Sequence, residues 1–208
     1  MAARAGTTAI EIKCPDLRTI AVRVVGTAPY VQNKFSAKAK AAMIATQEAG
    51  ATSKTRKIRE AKDFDDCYES ATHYAANGRC GIPAPAFRAA MIDACRLCGL
   101  VMTRAKLAIF VLADDVDVDD GTPLVYIDGD RERTDLAVRL ETGVCDIRTR
   151  PMWTAWTATL RIRYDADMLT AEDLGNLLQR AGMQVGIGEG RPNSKSGFGC
   201  GWGTFSLA

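Results

Sequence analysis

Polar and apolar positions alternate most clearly over Thr159-Leu160-Arg161-Ile162-Arg163-Tyr164, the end of a strand predicted over Trp153 to Tyr164 with one polar face. A β-branched run from Thr19 to Val25, closed by Gly26, predicts another strand, continued through Ala28 to Asn33 as an extended segment. Helical spacing appears at Ser36 to Ala49, where alanines with Met43 and Ile44 could form an apolar stripe. It recurs at Ala86 to Cys98, with Phe87, Ala90, Met91, Ala94 and Leu97 or Cys98 on one side, Pro85 in the first turn and Gly99 as the stop. A last helix runs from Thr170 to Ala181, its Thr170 and Asp173 spaced as a capping-box variant.

Weaker signals fill the gaps. Residues 1 to 16 are small and polar and expected to be loose, as is the polar break from Gly50 to Thr55. Asp63 to Tyr74 is open between helix and strand, and Asn77-Gly78 marks a turn. Strands are expected over Lys106 to Leu112, Leu124 to Ile127, Asp135 to Leu140, Val144 to Arg148 and Met183 to Ile187. Asp114 to Asp120 reads as a solvated acidic hairpin.

In order, these elements predict an α+β fold with a ferredoxin-like β-α-β-β-α-β core, also called a modified RRM. The chain is expected to form a single domain over 1–208. Its core would be 18–33 and 80–208, with a long insertion at 34–62 after the first strand and an acidic hairpin later. Two helices on one sheet face would leave the other open.

Composition changes the picture little until charge is located. A net charge of +2 does not by itself imply a nucleic-acid partner. Yet residues 34 to 62 hold eight cations (Lys34, Lys38, Lys40, Lys54, Arg56, Lys57, Arg59, Lys62) against Glu48 and Glu60. Such a basic limb could neutralise phosphates, or could be a solvated helix pair. No apolar run has the length of a membrane span and no export signal is evident, so no membrane partner is expected. Seven scattered cysteines without a framework fit reduced thiols and a cytoplasmic location.

Between Gly186 and Gly203 lie seven glycines in eighteen positions, with Arg191, Lys195, Phe198 and Trp202 among them. A loop of that composition suits close approach to a phosphodiester backbone, or an ornate turn closing a C-terminal hairpin. Its glycines do not have dinucleotide-fingerprint spacing, and the chain has no phosphate-binding P-loop. Arg148 and Arg150 precede Trp153 and Trp156, a pattern that suits stacking on bases or a strand edge. Arg161 and Arg163 share one strand face, lining the open sheet or meeting water.

His73 is the only histidine and belongs to no nucleophile motif, so it reads as structural. Cys95-Arg96-Leu97-Cys98 has no second pair to complete a zinc site. The Asp run lacks the glycine and terminal glutamate of a calcium loop. No catalytic residue, metal or cofactor is therefore expected.

Three segments resemble the RAMP superfamily. Ile20 to Asn33, with Gly26-Thr27-Ala28-Pro29-Tyr30, resembles its first strand and Gly-Thr/Ser-x-Pro-Leu turn, with Tyr30 where leucine is common. Gly81 to Met91 resembles the start of its first helix, and Gly186 to Gly203 its glycine-rich loop, where Gly-Phe-Gly precedes the last strand. The Val185 to Pro192 string is also similar to proteins encoded by phages and prophages. The resemblance implies an RRM-like fold that binds RNA. It also implies assembly in multiple copies, as in the backbone subunits of CRISPR effector complexes, with the 34–62 insertion holding the strand. Cleavage is not carried over, since His73 matches no nuclease motif of the family.

The expectation is a non-enzymatic protein that binds single-stranded nucleic acid, RNA ahead of DNA, as a homo-oligomer or filament, with effector or host protein subunits as further partners. Its contacts would be Lys34, Lys38, Lys40, Lys54, Arg56, Lys57, Arg59, Arg148, Arg150, Arg191, Lys195, Gly197 and Phe198. The alternatives are a phage-encoded protein–protein or anti-defence factor, and a ribonuclease using metal at Asp114 to Asp120.

Overall fold

A computed structural model describes residues 12–48, 50, 61–139, 143–194 and 200–208. In chain order the elements are β1 (Leu17–Gly26), β2 (Tyr30–Val31), α1 (Ala37–Glu48), α2 (Phe64–Ser70), β3 (Gly81–Pro83), α3 (Ala84–Cys98) and α4 (Met102–Ala108). They continue with β4 (Ile109–Leu112), β5 (Asp115–Val116), β6 (Pro123–Asp128), β7 (Glu132–Arg139), β8 (Cys145–Trp153) and β9 (Thr157–Asp165). The last are α5 (Ala171–Arg180), a π-turn (Ala181–Val185) and β10 (Phe205–Leu207). This is an α+β fold built on antiparallel sheets.

The larger sheet is organised by β1 and β9, paired in register from Leu17↔Asp165 to Val25↔Thr157. β10 extends the outer edge of β1 at Val24–Gly26. Two strands share the far edge of β9: β4 takes Arg161–Tyr164, and β6 takes Thr157 and Ala158 before turning away to pair with β3 and β5. Ala158, Leu160, Ile162 and Tyr164 of β9 are buried in one apolar core with Phe87 and Met91 of α3 and Leu174 and Leu178 of α5. Both helices therefore cover the same sheet face. The strict alternation of β9 leaves Thr159, Arg161 and Arg163 exposed on the other.

Local signals account for the helix boundaries. Gly99 ends α3 in the left-handed region at φ 72°. Thr170 Oγ1 accepts from Asp173 N, and the Asp173 carboxylate accepts in return from Thr170 N. The segment left open at Asp63–Tyr74 is helical over α2, with Asp63 accepting from Asp65 N and Asp66 N.

Several expectations are corrected. The strand predicted from Lys106 starts only at Ile109, because α4 occupies the preceding turns and buries Ala105 and Ala108. Trp153 and Tyr164 do not share one strand: residues 154–156 turn the chain between β8 and β9. Met183–Ile187 is no strand, since its first part completes the π-turn. α1 forms, but none of its residues is buried, and Met43 and Ile44 are about half exposed. The 50–55 break and the loose N-terminus fall mostly outside the described residues.

A second, three-stranded sheet has the order β2-β8-β7. Aromatic rings join it to the first. Trp153 meets Tyr30 at 5.6 Å, Tyr30 meets Trp156 at 5.8 Å, Trp156 meets Phe205 at 6.1 Å, and Phe205 meets Phe87 of α3 at 5.7 Å. Trp156 Nε1 donates to Ala28 O at 2.9 Å, so the indole is satisfied while buried. Replacing Trp156 with Ala removes the middle of this chain. The expected cost is about 3–5 kcal/mol, read as a fall in the denaturant midpoint, whereas Leu97→Ala at an exposed position changes it little.

Candidate nucleic-acid interface

The uncovered sheet face follows from the same period of two that builds the core. On β1 it presents Thr19, Ala21, Arg23 and Val25, and on β9 Thr157, Thr159, Arg161 and Arg163. Register sets their neighbours: Thr19 faces Arg163, Ala21 faces Arg161, Arg23 faces Thr159 and Val25 faces Thr157. β4 adds Phe110 beside Arg163 and Leu112 beside Arg161.

The arginines differ in what holds them. Arg161 donates to Ala113 O at 2.6 Å and to Asp114 at 3.1 Å. Arg163 lies 5.4 Å from the centre of the Phe110 ring, which Arg88 approaches from α3 at 5.7 Å. Neither Arg23 nor Arg163 has a carboxylate partner among the described residues. Arg161 and Arg163 stand about 7 Å apart along β9, close to the step between successive phosphates in an extended strand. None of Arg23, Arg161 and Arg163 is among the contacts expected from sequence, although Arg161 and Arg163 share a strand face there. The signal was present in the alternation of both strands.

The residues singled out from sequence fare differently. Lys34 is buried at 6 % exposure, and its ammonium donates to Asp117 Oδ1 (2.7 Å), Asp117 Oδ2 (2.9 Å) and Asp119 Oδ2 (2.6 Å). All three of its protons are used, which leaves none for a phosphate. Lys38 and Lys40 are exposed on α1. Lys54, Arg56, Lys57 and Arg59 lie outside the described residues, as do Lys195, Gly197 and Phe198. Arg150 donates to Glu189 at 2.9 Å, and Arg148 sits 3.6 Å from the same carboxylate. Both arginines thus face the glycine segment of their own chain. Arg191 donates to Gly188 O at 3.0 Å.

Four of the five described glycines of that segment approach protein; beside Gly201 there is open space. A Cβ on Gly188, at φ 77°, would lie 2.5 Å from Val31 O and 2.7 Å from the Tyr30 ring. A Cβ on Gly203 would lie 1.8 Å from Ile187 O. Glu189 N donates to Val31 O and Gly203 N to Pro29 O, so the segment is laced to the loop after β1. Its side-chain-free backbone serves internal packing here.

The acidic run is also corrected. Asp117 is buried at 2 % exposure and accepts from Lys34, from His73 Nδ1 at 2.8 Å, and from the amides of Asp119 and Asp120. Gln32 joins this cluster, accepting from His73 N (2.8 Å) and donating to Gly81 O (2.8 Å). Burial alone would raise the Asp117 pKa; Lys34, the Asp119 amide and His73 overcome it and hold the carboxyl down at about 2. Burial opposes the Lys34 charge too, yet its bonds to Asp117 and Asp119 keep that ammonium above its ordinary value.

Lys62, at the far end of the limb, donates to Asp146 at 3.3 Å and to Ile147 O. The limb is thus tied at both ends, to the acidic hairpin and to β8. No family model and no curated protein matches the chain.

Two outcomes follow for the Lys34–Asp117 pair. Asp117→Asn should lower stability by up to about 3–5 kcal/mol, because the buried ammonium then keeps only the more exposed Asp119 carboxylate. In the unmodified protein the pair's contribution is complete above the ordinary carboxyl pKa of about 4. It should drain away as pH falls towards about 2. Melting midpoints of the two proteins across that range should converge.

Proposed function

We propose that this protein binds single-stranded nucleic acid, RNA ahead of DNA, on the open face of its larger sheet, without catalysing a reaction. The observation that carries this reading is a sheet face with three arginines and three threonines on its two central strands, opposite the face that carries the helices. Guanidinium groups bind phosphate oxygens in bidentate fashion, and threonine hydroxyls can donate to phosphates or to a ribose hydroxyl.

The strand order β10-β1-β9-β4 supports a ferredoxin-like reading of the core. α3 lies between β1 and β4 in sequence, and α5 between β9 and β10. That arrangement agrees with the RAMP-like resemblance in the first strand, the first helix and the glycine segment. On this reading the limb bearing Lys38 and Lys40 reaches the same strand, and several copies line up along it. With Lys34 committed to Asp117, the working contacts on the sheet are Arg23, Arg161 and Arg163.

The test is fluorescence anisotropy with a labelled random-sequence strand over a salt series. Three sheet contacts predict a log–log salt slope of about −2, or roughly a twentyfold loss of affinity between about 50 and 200 mM salt. The charge reversals Arg23→Glu and Arg163→Glu together should weaken binding at least tenfold and reduce the slope by about 1.4, with an unchanged melting midpoint. Salt-insensitive binding, or full affinity in the double variant, would overturn the proposal.

A further inference from the structure

The cluster around Asp117 holds more negative charge than Lys34 neutralises. Asp117, Asp119 and Asp120 lie within four residues, and the carboxylates of the first two share one ammonium. Asp120 has no cation partner among the described residues; it accepts from Thr122 N at 2.9 Å. Three carboxylates against one lysine leave two negative charges, gathered beside an imidazole that is itself buried.

The donor set is mixed. His73 offers a ring nitrogen and Asp117 and Asp120 an oxygen each, and these three atoms lie within 4.8 Å of one another. Asp117 comes to the site already oriented: its Oδ1 is held by Lys34 and by the amides of Asp119 and Asp120. Its Oδ2 faces His73 Nδ1 at 2.8 Å and also accepts from Lys34 at 2.9 Å. An ion bridging Nδ1 and Oδ2 would replace their direct hydrogen bond. A cation there takes over the Lys34 bond to Oδ2 and leaves that ammonium on Oδ1 and Asp119. Asp120 is exposed and can swing inward, while the solvent side remains for water.

We propose that His73, Asp117 and Asp120 form a binding site for one divalent first-row ion of the Mn²⁺ type. One imidazole and two carboxylates match such an ion better than the all-oxygen shells of Ca²⁺ or Mg²⁺. The ion would staple the turn at His73 to the acidic hairpin. Through Lys34 it would also fix the root of the basic limb.

Mn²⁺ is the appropriate probe, because the free cysteines of this chain would compete for a thiophilic ion. Loss of the free-ion paramagnetic resonance signal, titrated against the full chain, counts bound ions, and the melting midpoint reports their coupling to the fold. One ion per chain is expected, with a midpoint that rises with Mn²⁺ concentration. Asp120→Asn, at an exposed position, should fold normally and bind at least tenfold more weakly. Asp167→Asn, an exposed carboxylate outside the cluster, should bind as the unmodified chain does. The proposal is overturned if the unmodified chain takes up no Mn²⁺, if Asp120→Asn binds as tightly as it does, or if Asp167→Asn weakens binding equally.

Discussion

The pairing of β1 with β9 is the constraint on which the rest depends. Nine consecutive register pairs fix which side chains face the helices and which face water. A slip of one residue would send Leu160 and Ile162 outward and bury Arg161 and Arg163. Burying two guanidinium groups without carboxylates is far costlier than any gain from a shifted ladder. The core and the arginine face are therefore two results of one register, and neither can be altered without the other.

The second organising element is the ion pair between Lys34 and Asp117, 83 residues apart. It explains why a strongly basic segment can begin inside the protein. A charge count along the chain sees Lys34 as the first member of a cationic limb and Asp117 as the middle of a solvated acidic run. Burial makes the two halves of one interaction. Such a pair adds little net stability over an apolar substitute, but it is selective, because any packing that separates the partners leaves a bare charge in the core. Gln32 and His73 extend the same logic: the Gln32 amide bonds His73 N and Gly81 O, and the His73 ring bonds Asp117.

What could be read from sequence was whatever is decided locally. The Thr170–Asp173 cap, the Pro85 start and the Gly99 stop specify helices through groups a few residues apart, and those helices are present. The alternation in Thr159–Tyr164 is equally local, and it marked the strand that organises the sheet. The failures involve long-range partners. Met183 to Ile187 has strand-like composition, but Gly182 must fit beneath Phe205, where a Cβ would lie 2.1 Å from the Phe205 carbonyl oxygen, and the chain coils there. Trp153 and Trp156 read as one strand because aromatic residues favour strands. Each ring instead packs against Tyr30 from its own side of a turn. The glycine-rich segment resembled a ligand loop because glycine density alone does not say whose backbone comes close. In the described part, what comes close is the backbone of Val31 and Ile187 and the ring of Tyr30.

The weak net charge of +2 then takes on a different meaning. Many cations away from the open face are matched by a carboxylate: Lys34 by Asp117, Arg131 by Glu69, Arg150 by Glu189, Arg79 by Asp128. Matched pairs contribute little field at a distance, because each is a short dipole screened within a Debye length of about 10 Å at ordinary salt. Arg23 and Arg163 lack such partners among the described residues and stand on a surface whose nearest neighbours are threonines, an alanine and an apolar ring. An anion approaching that face meets positive charge with little local compensation. The distribution of pairing, more than the total charge, sets the direction from which a polyanion would be drawn.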